Sequence, residues 1–86
     1  MWRIIMSKTA MRDAVKVKGG HLADTVSALL AILAVNPFQT PPPYEKLEPP
    51  TSDSYSRRIN RQHRLYYKVD KTLKTVKILR MWTHYE

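Results

Sequence analysis

Residues Tyr55–Asp70 read YSRRINRQHRLYYKVD, and the fold turns on how this stretch is read. Tyr, Ile, Leu and Val recur in it with the short period of extended chain, and the pattern breaks near Gln62. Two strands are therefore predicted, 55–61 and 63–70. A second break at Asp70-Lys71 separates them from a third, Leu73 to Thr83, and three strands with such short breaks pair antiparallel. Side chains alternate between the two faces of a strand. Leu65, Tyr67 and Val69 then point into a core, and Arg64, Tyr66 and Lys68 point out.

Toward the N-terminus the period lengthens. Trp2 to Met6 is short and rich in β-formers, so it predicts a strand. Ser7 follows as an N-cap, and Ala10, Ala14 and Val17 recur at helical spacing over Lys8 to Lys18. Gly19-Gly20 ends that helix, as expected of glycines where φ turns positive. His21 to about Val35 forms a second helix with Leu22, Val26, Leu29, Leu30 and Leu33 on one stripe. Asn36-Pro37 stops it. The stretch to Pro50 holds all six prolines of the chain, so it predicts an extended connector and neither a helix nor a central strand. The order is β-α-α-β-β-β, an α+β fold in which a helical hairpin packs on a small, mostly antiparallel sheet. Eighty-six residues build one domain, 1–86.

Composition narrows the partners. Fifteen Lys and Arg against seven Asp and Glu give a formal net charge of +8, which favours polyanions, nucleic acid first and an acidic protein segment second. Nine of those fifteen lie between Arg57 and Arg80, with Asp70 the one acid among them. The open face of the sheet is thus basic and carries aromatics, a layout suited to single-stranded RNA. Cysteine is absent, which excludes disulfides, thiolate catalysis and Cys-based zinc sites. The longest uncharged apolar run, Ala28 to Val35, is too short to span a membrane, and the N-terminus lacks a secretory signal pattern. The expected location is the cytoplasm, with no membrane partner.

Cleavage of RNA needs a base for the 2′-OH, an acid for the leaving 5′-oxygen and cations for the phosphate; it calls for no metal or other cofactor. The candidate bases are Glu45, Glu48 and Asp53, and the candidate acids His21, His63 and His84. His21 opens a helix, where a cation is disfavoured. His63 alternates away from Arg64 and is expected to be buried. His84 lies with Arg80, Trp82 and Tyr85 at the chain's end and is the acid candidate. Arg57, Arg58, Arg61 and Arg64 place four guanidiniums in eight residues, a concentration suited to phosphate.

Tyr44-Glu45-Lys46-Leu47, Tyr55-Ser56-Arg57-Arg58-Ile59-Asn60, His63-Arg64-Leu65 with Tyr67, and Trp82-Thr83-His84-Tyr85 closely resemble the Txe/YoeB family of bacterial toxins, within the RelE/ParE superfamily of type II toxin-antitoxin systems. The likeness covers about Asn36 to Glu86. It implies a ribosome-dependent mRNA endoribonuclease that cuts the codon in the ribosomal A site, held in check by a cognate antitoxin of YefM/Axe (Phd-like) type. It makes Glu45 the general base, Arg64 the phosphate ligand supported by Arg58, and His84 with Tyr85 the acid end. Lys46, Arg57, Arg61, Tyr66 and Arg80 form the surrounding RNA-binding set. Glu48 stands where some relatives carry lysine, and Glu86 extends one residue past the His-Tyr pair. The alanine-rich helical hairpin suits contact with a second subunit in a homodimer. The competing reading is a non-catalytic toxin or nucleic-acid-binding module on the same fold, such as a ParE-like gyrase inhibitor.

Overall fold

Ser7 starts the first helix by accepting the Ala10 N–H on its hydroxyl at 3.0 Å. In the computed structural model, which describes residues 1–82, the elements are β1 (Arg3–Met6), α1 (Lys8–Lys18), α2 (Ala23–Val35), β2 (Tyr44–Lys46), β3 (Ser54–Arg58), β4 (Arg64–Asp70) and β5 (Thr75–Arg80), with a 3-10 turn at Pro50–Ser52. The fold is α+β as expected, two helices on a mixed sheet.

The stop between the helices differs in mechanism from the expectation. Neither glycine has positive φ; Gly19 and Gly20 donate back to Val15 and Val17 carbonyls at 3.3 and 3.1 Å. The helix ends there because glycine is a poor helix former. α2 then begins at Ala23, after a turn that includes His21 and Leu22.

The five strands lie in the order β1-β5-β4-β3-β2. β1 runs parallel to β5, and the other neighbours are antiparallel. β2 adds an edge strand inside the proline-rich connector. Between Pro43 and Pro49 the backbone regains N–H groups, and Tyr44–Lys46 use that gap to pair with Tyr55–Arg57. An edge is where proline-rich sequence tolerates a strand.

The flanking strands are shorter than their sequence pattern. β3 stops at Arg58 because Ile59 and Asn60 donate to the His63 carbonyl, while Asn60 Oδ1 takes the N–H groups of Gln62 and His63. β5 starts at Thr75 after a turn in which Lys74 adopts a left-handed φ of 53° and Asp70 Oδ1 accepts the Leu73 N–H. The core joins Leu22, Val26, Leu29 and Leu33 to Leu65, Tyr67, Val69, Val76 and Ile78. On α1 the buried positions are Ala10, Asp13 and Val17, so the predicted stripe holds except that the carboxylate of Asp13 lies inside it and Ala14 is only half-buried. No helix among the described residues is long and apolar enough to cross a membrane.

Candidate active site

The open face of the sheet is built by register. Glu45 on β2 pairs with Ser56 on β3, and Ser56 pairs with Tyr66 on β4; one step along, Arg58 pairs with Arg64. Like charges placed opposite one another weaken a sheet, so the Arg58–Arg64 pair costs stability that an anion would restore. Lys68 and Lys77 repeat the arrangement farther along the same face.

Arg64 reaches back across β3. Its Nε and Nη2 donate to the Ser56 hydroxyl at 3.1 and 3.0 Å, and Nη2 lies 3.4 Å from Glu45 Oε1. Arg64 is 24% exposed and Glu45 71%. Pro43, Tyr44, Glu45, Arg58 and Arg64 line a cleft of about 200 Å³ here. A carboxylate and two guanidiniums thus converge on one open cleft, with a serine fixing the nearer guanidinium. Ser56 was not singled out by sequence. It becomes visible only once β3 and β4 are registered, which brings its hydroxyl under the Arg64 guanidinium.

Two members of the expected RNA-binding set face the other way. Arg57 is fully buried. Its Nη1 donates to the Pro42 carbonyl at 2.6 Å, its Nη2 to Pro37 and Gln39 at 2.9 and 2.8 Å, and its Nε to the Tyr67 hydroxyl at 3.2 Å. Its guanidinium also lies over the Tyr44 ring, 5.1 Å from the centroid. A connector short of N–H groups leaves carbonyls unmatched, and Arg57 supplies their donors. It therefore binds the connector that carries Glu45 and has no place on the open face. Lys46 alternates away from Glu45 and sets its ammonium 5.9 Å from the Tyr55 ring centroid, on the opposite side of β2.

Arg80 differs only in part, since its side chain leans toward α1 and yet stays 47% exposed. A bulge opposite Tyr66/Tyr67 leaves Arg80 in phase with the buried Val76 and Ile78. Its Nε meets Asp13 Oδ2 on α1 at 3.0 Å, and its Nη2 donates to the Trp82 carbonyl at 3.0 Å. Tyr66 is half-buried between Arg64 and Lys68, and Arg61 is exposed in the β3–β4 turn.

Of the remaining candidates, Glu48, Asp53 and His21 are exposed and do not line the cleft. His63 is buried, as expected, with its ring stacked on Trp82 at 4.1 Å between centroids. His84 and Tyr85 lie outside the described residues. No group of three or more His, Asp or Glu side chains among the described residues is arranged to hold a metal ion.

Comparison with known proteins bears on this geometry. The sequence model of one protein family, described as "YoeB-like toxin of bacterial type II toxin-antitoxin system", matches residues 10–85. Among curated proteins compared by sequence, none matches significantly. Solved structures do. YoeB in the heterotetrameric YoeB-YefM toxin-antitoxin complex from Staphylococcus aureus is 30% identical, with 99% of each chain covered and a TM-score of 0.80. The YoeB dimer from the same organism is 30% identical over 98% of each chain, with a TM-score of 0.81. A YoeB/ParE toxin from Agrobacterium tumefaciens, 19% identical over 96% of this chain and 99% of its own, superposes with a TM-score of 0.84; at that identity it speaks for the fold alone.

Proposed function

This chain belongs to the YoeB-like toxins of bacterial type II toxin-antitoxin systems, and from that premise we propose that it is a ribosome-dependent mRNA endoribonuclease acting in the A site of cytoplasmic ribosomes. The observation that carries the reading is the meeting of Glu45, Arg58 and Arg64 in one cleft of the open face. In the free protein Arg64 rests against Glu45. An entering phosphodiester competes for the guanidinium, since Arg binds phosphate in a bidentate fork. The displaced carboxylate is then free to take the proton of the adjacent 2′-OH. Attack of that oxygen on phosphorus expels the 5′-oxygen, which His84 protonates with Tyr85 beside it, and leaves a 2′,3′-cyclic phosphate. Arg64 and Arg58 carry the charge that develops on the phosphate. Every proton and bond is then accounted for by side chains and the RNA, in a single domain that spans the chain.

The partners follow from the same premise. S. aureus YoeB forms a complex with YefM and a dimer. For this chain we propose a YefM-type antitoxin that lays an acidic segment across the basic face, and self-association as a homodimer. The net charge of +8 favours the first electrostatically.

The test is cell-free translation of a defined mRNA with cut sites mapped by primer extension. Wild type is expected to cut within translated codons only when ribosomes are present. Glu45→Gln and His84→Ala should not cut, and a 2′-O-methyl group at the scissile nucleotide should block cleavage. Inhibition of translation without any cut, equal in wild type and both variants, would instead favour a non-catalytic toxin.

A further inference from the structure

We propose that Asp13 is a positioning residue for the acid end of this site, an inference that rests on the function proposed above. Asp13 sits in the middle of α1, where aspartate is a weaker helix former than alanine and where it gains nothing from the helix N-terminus. Its side chain is nevertheless buried, at 4% exposure. A buried carboxylate is tolerated only with donors around it, and here three of them converge on one oxygen. Oδ2 accepts Arg80 Nε at 3.0 Å, the Met81 N–H at 3.0 Å and the Trp82 N–H at 3.2 Å.

The sheet shows why those donors need it. β5 lies between β4 and β1, but β1 ends its pairing at Met6–Ile78, and on the other side the last pair is Tyr66–Arg80. Beyond those points β5 has no strand neighbour among the described residues. α1 takes over in two steps. At its start, Ser7 donates its N–H to the Ile78 carbonyl and its hydroxyl to the Leu79 carbonyl, each at 3.0 Å. A turn and a half later, Asp13 collects the N–H groups of Met81 and Trp82. The side chain of one helix residue thus does for the end of β5 what a neighbouring strand does for its middle. Trp82 is also held on its other side by the stacked His63 ring.

Trp82 is two residues from His84 in the sequence, and two residues of chain span at most about 7 Å. The anchor therefore lies one short step of backbone from the proposed acid. Terminal residues fray unless tied down, and a misplacement of about 1 Å at a catalytic group costs on the order of 100-fold in rate. Asp13 touches neither substrate nor reacting atoms; it acts by holding the strand end from which His84 is delivered.

The experiment compares Asp13→Asn, Asp13→Ala and His84→Ala with wild type in ribosome-dependent cleavage, with backbone amide exchange measured on each full-length variant. Asn keeps the volume and one acceptor for the backbone N–H groups but loses the charge facing Arg80; Ala loses both. The expected result is a graded fall in kcat, about 10-fold for Asn and about 100-fold for Ala, with KM within twofold of wild type. Exchange at Met81 and Trp82 should quicken while Val76 and Ile78, mid-strand, keep their protection. Normal kcat in both Asp13 variants beside an inactive His84→Ala overturns the positioning role alone. A fall in activity that only tracks the folded fraction, with Val76 and Ile78 also deprotected, reduces Asp13 to a fold residue and overturns it too. Wild-type cleavage by His84→Ala overturns the functional reading itself, and the positioning role with it.

Discussion

Arg57 and Tyr67 form a buried polar pair at the centre of the molecule, Arg57 Nε donating to the Tyr67 hydroxyl at 3.2 Å while that hydroxyl donates to the Pro37 carbonyl at 3.2 Å. β3 and β4 thereby hold the proline-rich connector by its carbonyls, and the connector delivers β2 with Glu45. The placement of a solvent-facing carboxylate depends on a guanidinium buried on the opposite side of the same sheet.

Arg57 and its neighbours on the open face should separate cleanly in a salt titration of RNA binding. Each phosphate neutralised on a single strand contributes about 0.7 to the slope of log K against log salt. Arg64→Met is expected to lower the slope by about that amount and to leave stability nearly unchanged. Arg57→Met should leave the slope alone and lower stability by about 3 kcal/mol, since three carbonyls and a hydroxyl lose their buried donor. For a domain of this size that is a fall in Tm of about 12 °C or more. A slope reduced by Arg57→Met would return that residue to the RNA surface.

Tyr67 gives the fold an alkaline limit. Burial pushes its phenol above the ordinary tyrosine value, a rise that the nearby Arg57 charge and hydrogen bond reduce and do not cancel. The folded state therefore favours the neutral phenol. Its contribution is fully present below the unfolded value of about 10 and is lost as pH rises through the higher folded value. Tyr67→Phe should be less stable at pH 7 by about 1–3 kcal/mol, because Arg57 Nε loses its acceptor, and should lose stability less steeply above pH 10. Denaturant midpoints at pH 7, 9 and 11 would check both signs; a parallel decline in the two proteins would remove Tyr67 from the account.

The helices and the central strands are legible in the sequence because their signals are local. Ser7 as a cap, the Leu22-Val26-Leu29-Leu33 stripe and the Leu65-Tyr67-Val69 alternation each follow from spacing alone, and each is found. Arg57 departs from its sequence expectation, and Arg80 in part, for a non-local reason. Charge and chain position mark them as surface residues like Arg58 and Arg64; the carbonyls of Pro37, Gln39 and Pro42 draw Arg57 into the core, while the carboxylate of Asp13 turns the half-exposed Arg80 toward α1. β2 was missed because Tyr44–Lys46 is three residues long between prolines, and its partner lies across a turn. Glu45 was singled out by its likeness to family members and by its being one of few acids, and the register of β2 sets it beside Arg64.

Ser56 carries a prediction that the sequence did not offer. It is the shared acceptor for Nε and Nη2 of Arg64, so Ser56→Ala should free the guanidinium to sample other rotamers without emptying a large volume. Stability should change by less than about 1 kcal/mol, and cleavage should fall roughly 10-fold through kcat as phosphate alignment loosens. Ser56→Thr keeps the hydroxyl and should recover most of the loss. Single-turnover cleavage beside thermal unfolding distinguishes this from general weakening; equal rates for Ser56→Ala and wild type would mean that Arg64 needs no rest on β3.

Glu45 offers the sharpest separation of binding from chemistry. Its carboxylate meets Arg64 across a gap of 3.4 Å in an exposed ion pair, and under the proposed mechanism it competes with RNA for that guanidinium. Glu45→Gln removes that competition together with one negative charge from the cleft proposed to receive the phosphodiester. A pair of this exposure is worth about 0.2–1 kcal/mol, so the variant should bind a non-cleavable 2′-deoxy analogue of its RNA about 1.5- to 5-fold more tightly while its cleavage rate on ordinary RNA collapses. In Arg64→Ala the same Glu45→Gln change should tighten binding less, because the partner it releases is gone. Fluorescence anisotropy on the four proteins of that cycle at fixed salt measures the coupling directly. Weaker binding by Glu45→Gln, or coupling indistinguishable from zero, would mean that Arg64 meets phosphate without first leaving Glu45, and that the contact between them belongs only to the resting cleft.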